Sequence, residues 1–153
     1  MKLFSSSKEE YQKLVQLEQK LVNSDLTLNQ MVAKELYDRS IRFSEKYPKN
    51  KHREQVLVFA AKSADGLNWN QKNLAVINQL LTLFPNSPNA PNYLYNKGKI
   101  YEEKLHQKEK AIEIYQTLIL KYPQSKIAKN LKDYIVFLKK TEKEQLEFLA
   151  PKE

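Results

Sequence analysis

Apolar residues recur three or four positions apart along most of the chain, which is the spacing of one face of an α-helix. The pattern is clearest between Asn92 and Pro123, where it predicts two helices joined by a short polar turn. The residues that share a face are Leu94, Gly98, Tyr101 and Leu105 on the first helix and Ala111, Tyr115, Leu118 and Tyr122 on the second. Gly98 and Ala111 are small enough to let the two helix backbones approach closely, and a glycine inside a helix suggests such a packing reason.

The same spacing predicts an all-α chain of about seven to eight helices. We expect helices over about 7–22, 28–46 and 51–67, a fourth that stops at Phe84-Pro85, the central pair, and two later helices over 125–139 and 141–149. Ser7 with Glu10 and Thr141 with Glu144 match the capping-box pattern that begins a helix. Met31 is among the candidate core residues of the second helix, and Leu146, Phe148 and Leu149 form the apolar positions of the last.

An internal repeat is visible in the way the helices end. An aromatic residue followed by proline closes a helix at Tyr47-Pro48, Phe84-Pro85 and Tyr122-Pro123, and the prolines at 48, 85 and 123 lie 37 and 38 residues apart. A period of this length is typical of stacked helical hairpins. We therefore predict one domain over 1–153, with repeats at about 7–48, 51–85 and 89–123 and capping helices at 125–139 and 141–149.

The central hairpin resembles the tetratricopeptide repeat (TPR). Its family pattern places a small residue and an aromatic on the first helix, then an alanine, an aromatic, a small or apolar residue and a proline on the second. The residues in this order are Gly98, Tyr101, Ala111, Tyr115, Leu118 and Pro123. The resemblance implies antiparallel hairpins stacked as a right-handed α–α superhelix, acting as a binding scaffold without catalytic residues. The turn that joins the two helices is one residue longer than is usual in the family.

The connectors that follow two of the prolines resemble those of one branch of the TPR family. Residues 86–90 and 124–128 each place a serine and then an alanine at the same spacing after the aromatic-proline pair. These connectors look like those of the bacterial envelope branch of the family, which includes the outer-membrane assembly lipoprotein and the Tol–Pal coordinating protein. The closing run 138–146 is similar to the C-terminus of small exported TPR lipoproteins of Bacteroidetes-type bacteria.

That likeness implies an exported scaffold, periplasmic or associated with the outer membrane. The first seven residues are too short and too polar to be a signal peptide. Either Met1 is native and the protein is cytoplasmic, or a leader was removed and Met1 was added to a mature chain. Any membrane attachment would then depend on a lipid-anchored leader, because no apolar run approaches the roughly 20 residues that span a bilayer.

The composition predicts a folded, basic chain, and the sequence offers no motif for catalysis or for binding a metal or a phosphate. The 153 residues carry a net charge of +8, and no cysteine is present, which removes disulfides and thiolate sites together. His52 and His106 lack a second ligand at metal spacing, and the two glycines, Gly66 and Gly98, lie too far apart for a phosphate loop. We interpret both histidines as solvated and Trp69 as packed over its turn. The sequence predicts no enzyme, no cofactor and no small-molecule substrate.

A binding surface can still be predicted, because the first helix of each hairpin lines the concave face in this architecture. The residues expected there are Gln55, Val58, Lys62 and Asp65, then Asn92, Tyr95, Lys99 and Glu102, then Lys129, Lys132 and Val136. Our hypothesis is a groove for a partner protein or peptide segment that bears acidic groups or a free carboxylate. The alternative is a lysine face that is merely solvated.

Two further functions remain open. A basic helical-repeat protein can bind nucleic acid, since +8 attracts a phosphate backbone. The lysines are spread over most helices, however, and arginine occurs only as Arg39, Arg42 and Arg53, which makes nucleic acid the weaker interpretation. The other alternative is a cytosolic TPR adaptor.

Overall fold

A computed structural model describes residues 5–150 of the chain, which form eight α-helices. The helices are α1 Ser7–Gln19, α2 Gln30–Lys46, α3 Arg53–Gly66, α4 Asn70–Leu83, α5 Ala90–Lys99, α6 Lys108–Lys121, α7 Lys126–Leu138 and α8 Glu142–Leu149. A π-helical turn, Ile100–Lys104, continues α5 directly. Among these residues an isolated antiparallel bridge joins Val22 and Leu28, and no β-strand occurs. The predicted all-α fold of seven to eight helices is confirmed.

The chain divides into two compact units, Met1–Pro85 and Asn86–Glu153. In the first unit α1 packs on α2, α2 on α3 and α3 on α4; in the second, α5 packs on α6 and α6 on α7. The predicted repeats 7–48 and 51–85 fall in the first unit, and 89–123 falls in the second with both later helices. The single domain over 1–153 and the right-handed superhelix stay predictions. None of the described helices is both long enough and apolar enough to cross a lipid bilayer.

Three helices end in the same way, at the aromatic residue that precedes a proline. Tyr47, Phe84 and Tyr122 have φ between −124° and −130° and ψ between 52° and 64°. Each donates its backbone N–H to the carbonyl four residues earlier, at 2.9 Å. Proline disfavours the helical conformation in the residue before it, so each helix stops at the predicted place.

One core cluster of the first unit is built from α1, α2 and α3, and α4 adds buried residues such as Leu80. Leu14 of α1, Leu36 and Phe43 of α2, and Val56 and Phe59 of α3 are each no more than 4% exposed. Burial of such side chains stabilises the fold by roughly 1.5–3 kcal/mol each. Lys46 at the end of α2 contacts Glu10 near the start of α1, so these two helices run antiparallel.

The connection between α1 and α2 is longer and more ordered than a simple turn. α1 ends at Gln19 rather than near Val22, and the backbones of Asn23 and Thr27 pair at 2.8 Å. Asn29 then caps α2 through its side chain, which accepts from the Val32 N–H. The prediction that Met31 is a core residue is wrong, because it is 81% exposed. It lies on the opposite side of α2 from the buried Ala33.

One of the two predicted capping boxes is confirmed, and the other is displaced by one residue. Thr141 and Glu144 form the predicted box at the start of α8. At α1 the box is Ser6 with Glu9, one residue before the predicted pair, and Ser7 is the first helical residue. On α8 no residue is buried, although the Phe148 ring lies 5.8 Å from that of Phe137.

Candidate functional site

Four of the predicted groove residues lie on α3, in the first unit. The Gln55 Oε1 atom accepts a hydrogen bond of 2.7 Å from the Tyr11 hydroxyl, and the Lys62 Nζ atom lies 2.8 Å from the Glu18 carboxylate. Both partners belong to α1. Val58 is half-buried. α1 therefore supplies partners for this face of α3, and the binding role of these residues stays a prediction.

The fourth of these residues explains a departure from the repeat pattern. Asp65 accepts a hydrogen bond of 3.4 Å from the Asn73 amide. Asn73 stands in α4 where the central hairpin has Ala111, and it is 4% exposed. A buried amide needs a partner, and the end of the preceding helix provides one.

In the second unit, Glu102 joins three helices. Its carboxylate accepts a hydrogen bond of 2.7 Å from the Tyr115 hydroxyl and a second from the Tyr134 hydroxyl. Glu102 lies in the π turn, Tyr115 in α6 and Tyr134 in α7. Hydrogen bonds to a carboxylate are stronger than those between neutral groups, so this cluster holds the relative positions of α5, α6 and α7.

The π turn gives Glu102 its local setting. The Leu105 N–H donates to the Ile100 carbonyl at 3.0 Å, which is the i to i+5 bond of a π-helix. Such turns occur mostly as single insertions inside α-helices and are frequent at functional sites. The helix thus widens at the position of Glu102, whose side chain reaches two neighbouring helices.

Aromatic rings extend the Glu102 cluster in both directions. The Tyr115 ring centroid lies 5.8 Å from that of Tyr95 and 6.1 Å from that of Tyr134, which in turn lies 6.3 Å from Phe137. Tyr95 is one of the residues predicted to line the groove. Its ring contacts that of Tyr115 and the residue is half-buried, so only part of Tyr95 is accessible to a partner.

The predicted groove residues of α5 and α7 belong to the second unit; we call them the α5–α7 surface, and their binding role stays a prediction. Its members are Asn92, Tyr95, Lys99, Lys129 and Lys132. Lys99 pairs with Glu103 of its own helix. Lys129 and Lys132 are exposed, and neither lies within salt-bridge distance of a carboxylate in residues 5–150. Val136, which is 60% exposed, lies further along α7.

Burial fixes the protonation of the two tyrosines. It raises the pKa of Tyr115 and of Tyr134 far above that of a free tyrosine, and their hydrogen bonds to Glu102 raise both further. Both hydroxyls therefore stay protonated, and can donate to Glu102, at alkaline pH where an exposed tyrosine ionises. The hydrogen bond to Glu103 raises the pKa of Lys99, which keeps that side chain cationic.

The two histidines and Trp69 are the remaining candidate residues, and none of them lies in a metal-binding group among the described residues. His52 was expected to be solvated, but its ring stacks on Tyr11 with the centroids 3.8 Å apart. His106 is exposed in a turn at φ 52°. Trp69 packs edge-on against Tyr37 and lies under the Lys72 ammonium, as the packing interpretation predicts. Across the described part of the chain, no group of three or more His, Cys, Asp or Glu side chains could hold a metal ion.

No protein-family model matches the chain, and no curated protein is detectably similar to it in sequence. The likeness to tetratricopeptide repeats therefore stays a prediction carried by the repeat residues themselves.

The Glu102–Tyr134 bond is the feature that sequence reasoning missed. Tyr115 and Tyr134 are both expected to lie where helices meet, with their hydroxyls in water. Glu102 is expected to face the groove. The signal that could have joined them is the excess of tyrosine on three consecutive helices around one carboxylate, since buried hydroxyls require acceptors.

Proposed function

We propose that this protein is a non-catalytic scaffold of the tetratricopeptide type that binds a segment of another protein. The observations that carry the proposal are two exposed lysines of α7 without carboxylate partners among residues 5–150 and the half-buried ring of Tyr95 on α5. A cationic surface is complementary in charge to an acidic segment, which favours their encounter and their specificity.

The Glu102 cluster supports this proposal by making the surface rigid. Because Glu102 holds Tyr115 and Tyr134 in place, α5 and α7 need little reordering when a segment binds. A preorganised surface loses less entropy on association than a mobile one. An extended segment with carboxylate side chains or a free C-terminus is the partner that fits the lysines.

Charge reversal on α7 tests the proposal. The variant Lys129→Glu/Lys132→Glu changes two exposed side chains, and Lys121→Glu/Lys143→Glu is a control with the same net charge in the same unit. Proteins captured from an extract of the source cell would be quantified for both. We expect the α7 variant to lose the specific partners that the control retains. Equal capture by the two variants would contradict the proposal.

A gel-shift experiment with the unaltered protein distinguishes protein binding from nucleic-acid binding. A salt-dependent shift of RNA or DNA by the unaltered protein at physiological ionic strength would favour the alternative, because phosphate contacts weaken steeply with added salt. We expect no shift under these conditions, since the lysines lie on several helices rather than in one stripe.

We further propose that the scaffold acts in the bacterial cell envelope, in the periplasm or at the outer membrane. The aromatic-proline connectors, which resemble those of envelope proteins, support this location. The gene sequence upstream of the codon for Ser5 tests it. A leader that ends in a lipid-modified cysteine is the expected finding, whereas an uninterrupted cytosolic start would favour a cytosolic adaptor.

A further inference from the structure

In the first unit, α1 and α2 line an open cleft of about 520 Å³. Its lining residues are Ser5, Glu9, Glu10, Lys13 and Leu14 from the start of the chain and Arg39, Arg42, Phe43 and Lys46 from α2. Leu14 and Phe43 are 1% exposed and form the closed base. The accessible walls are therefore charged, with four cations and two carboxylates.

Both carboxylates of the cleft are already engaged. The Glu9 side chain accepts from the Ser6 N–H at 2.7 Å as part of the capping box. Glu10 accepts from the Lys46 ammonium at 2.7 Å, the Ser5 hydroxyl at 2.9 Å and the Tyr47 hydroxyl at 3.1 Å. Burial alone would raise the pKa of Glu10, but these hydrogen bonds prevail and hold it below its usual value. Lys46 stays protonated, and its charge is balanced by the Glu10 carboxylate.

The other cations keep donors for a ligand. The Arg42 Nε atom donates to the Asp38 carbonyl at 3.2 Å, and the Arg39 Nε atom lies 2.7 Å from the Glu35 carboxylate. Both contacts are made within α2 through Nε, so they steady each guanidinium and leave its terminal nitrogens for another acceptor. Lys13 has no carboxylate within salt-bridge distance among residues 5–150.

We propose that this cleft is a second docking site, which binds an acidic segment of a partner protein through Lys13 and Arg42. A planar guanidinium matches a carboxylate with two parallel hydrogen bonds, and an ammonium on the facing helix adds a point charge. The volume lies in the range of sites that enclose several ligand groups, so it suits consecutive side chains better than one small ion. The site lies in the first unit and does not depend on the α5–α7 surface.

A fluorescent glutamate-rich peptide is the probe, with a glutamine peptide of equal length as its control. Anisotropy would be measured with the full chain at physiological ionic strength, where charges further apart than about 8 Å are screened. Lys13→Gln/Arg42→Gln removes the proposed contacts. Lys20→Gln/Lys34→Gln removes the same charge outside the cleft, from the exposed residue that follows α1 and from an exposed position of α2.

We expect the cleft variant to weaken binding of the glutamate peptide by about tenfold or more, which corresponds to the loss of charge-assisted bonds. Both comparisons are made in the Lys129→Glu/Lys132→Glu background, so that the α5–α7 surface does not bind the peptide, and there the outer control should stay within about twofold. Equal losses in the cleft variant and the outer control would overturn the proposal, as would equal binding of the glutamine peptide. It would also be overturned if the α7 variant alone lost binding, or if a single-stranded oligonucleotide bound more tightly than the peptide.

Discussion

The ring of Tyr115 occupies the space that a side chain at Gly98 would need. A Cβ atom built on Gly98 would lie 2.2 Å from the Tyr115 Cε1 atom, well inside van der Waals contact. Tyr115 is fully buried and held at its hydroxyl by Glu102, so it cannot move aside easily. The small residue predicted from the repeat pattern thus has a packing reason.

Gly98→Ala should therefore destabilise the protein although alanine favours helices. The gain in helix propensity is about 1 kcal/mol, and overpacking against a fixed ring costs typically 1–3 kcal/mol. We expect a net loss in the free energy of unfolding, measured from urea denaturation.

Gly66→Ala provides the matched control. A Cβ there would approach the end of the Leu28 side chain at 2.9 Å, and a flexible methyl can shift. We expect a change between zero and a gain of about 1 kcal/mol. A Gly98→Ala protein as stable as this control would show that Tyr115 does not restrict position 98.

Glu102→Ala should cost more than its neighbour Glu103→Ala. The first change leaves the hydroxyl of the fully buried Tyr115 without its acceptor, which typically costs about 1–3 kcal/mol. The second removes an exposed pair with Lys99, worth about 0–1 kcal/mol. Urea midpoints at constant m would measure both, and equal values would exclude a structural role for the Glu102 cluster.

Local rules predicted the helices and their ends, because neighbouring residues decide them. The conformation of Tyr47, Phe84 and Tyr122 follows from the proline after each, and Thr141 caps α8 with Glu144 as its sequence predicts. The Glu102–Tyr134 bond spans 32 positions and depends on how α5 and α7 pack, which no local pattern reports.

The misplaced cap of α1 has a different cause. Residues 5–7 are all serine and residues 9 and 10 are both glutamate, so Ser6 with Glu9 and Ser7 with Glu10 match the same pattern. Tertiary contacts distinguish them. Glu10 bonds Lys46, the last residue of α2, and Tyr47, which follows it, and this leaves Glu9 for the cap.

Alanine substitution separates these two serines. Ser6→Ala should lower the free energy of unfolding by about 1 kcal/mol, because the Glu9 N–H loses the acceptor that caps the helix. Ser7→Ala should change it by no more than about 0.5 kcal/mol, since Ser7 is the first residue within the helix. Thermal unfolding of both variants measures the difference, and the reverse order would restore the predicted Ser7 box.

At alkaline pH the tyrosines of the Glu102 cluster should make the free energy of unfolding depend on pH. In the unfolded chain Tyr115 and Tyr134 lose their protons near pH 10, whereas burial and Glu102 raise their pKa in the folded protein. Below pH 10 both states hold these protons and the stabilisation is fully present. Above it the unfolded chain binds fewer protons than the folded one, so the free energy of unfolding falls as the pH rises.

Tyr134→Phe removes one of the two groups while the lysines titrate as before, so its stability should fall less steeply between about pH 9 and about pH 11. Urea denaturation across that range compares the slopes, and parallel curves for the two proteins would mean that the Tyr134 hydroxyl is not held by Glu102 in solution.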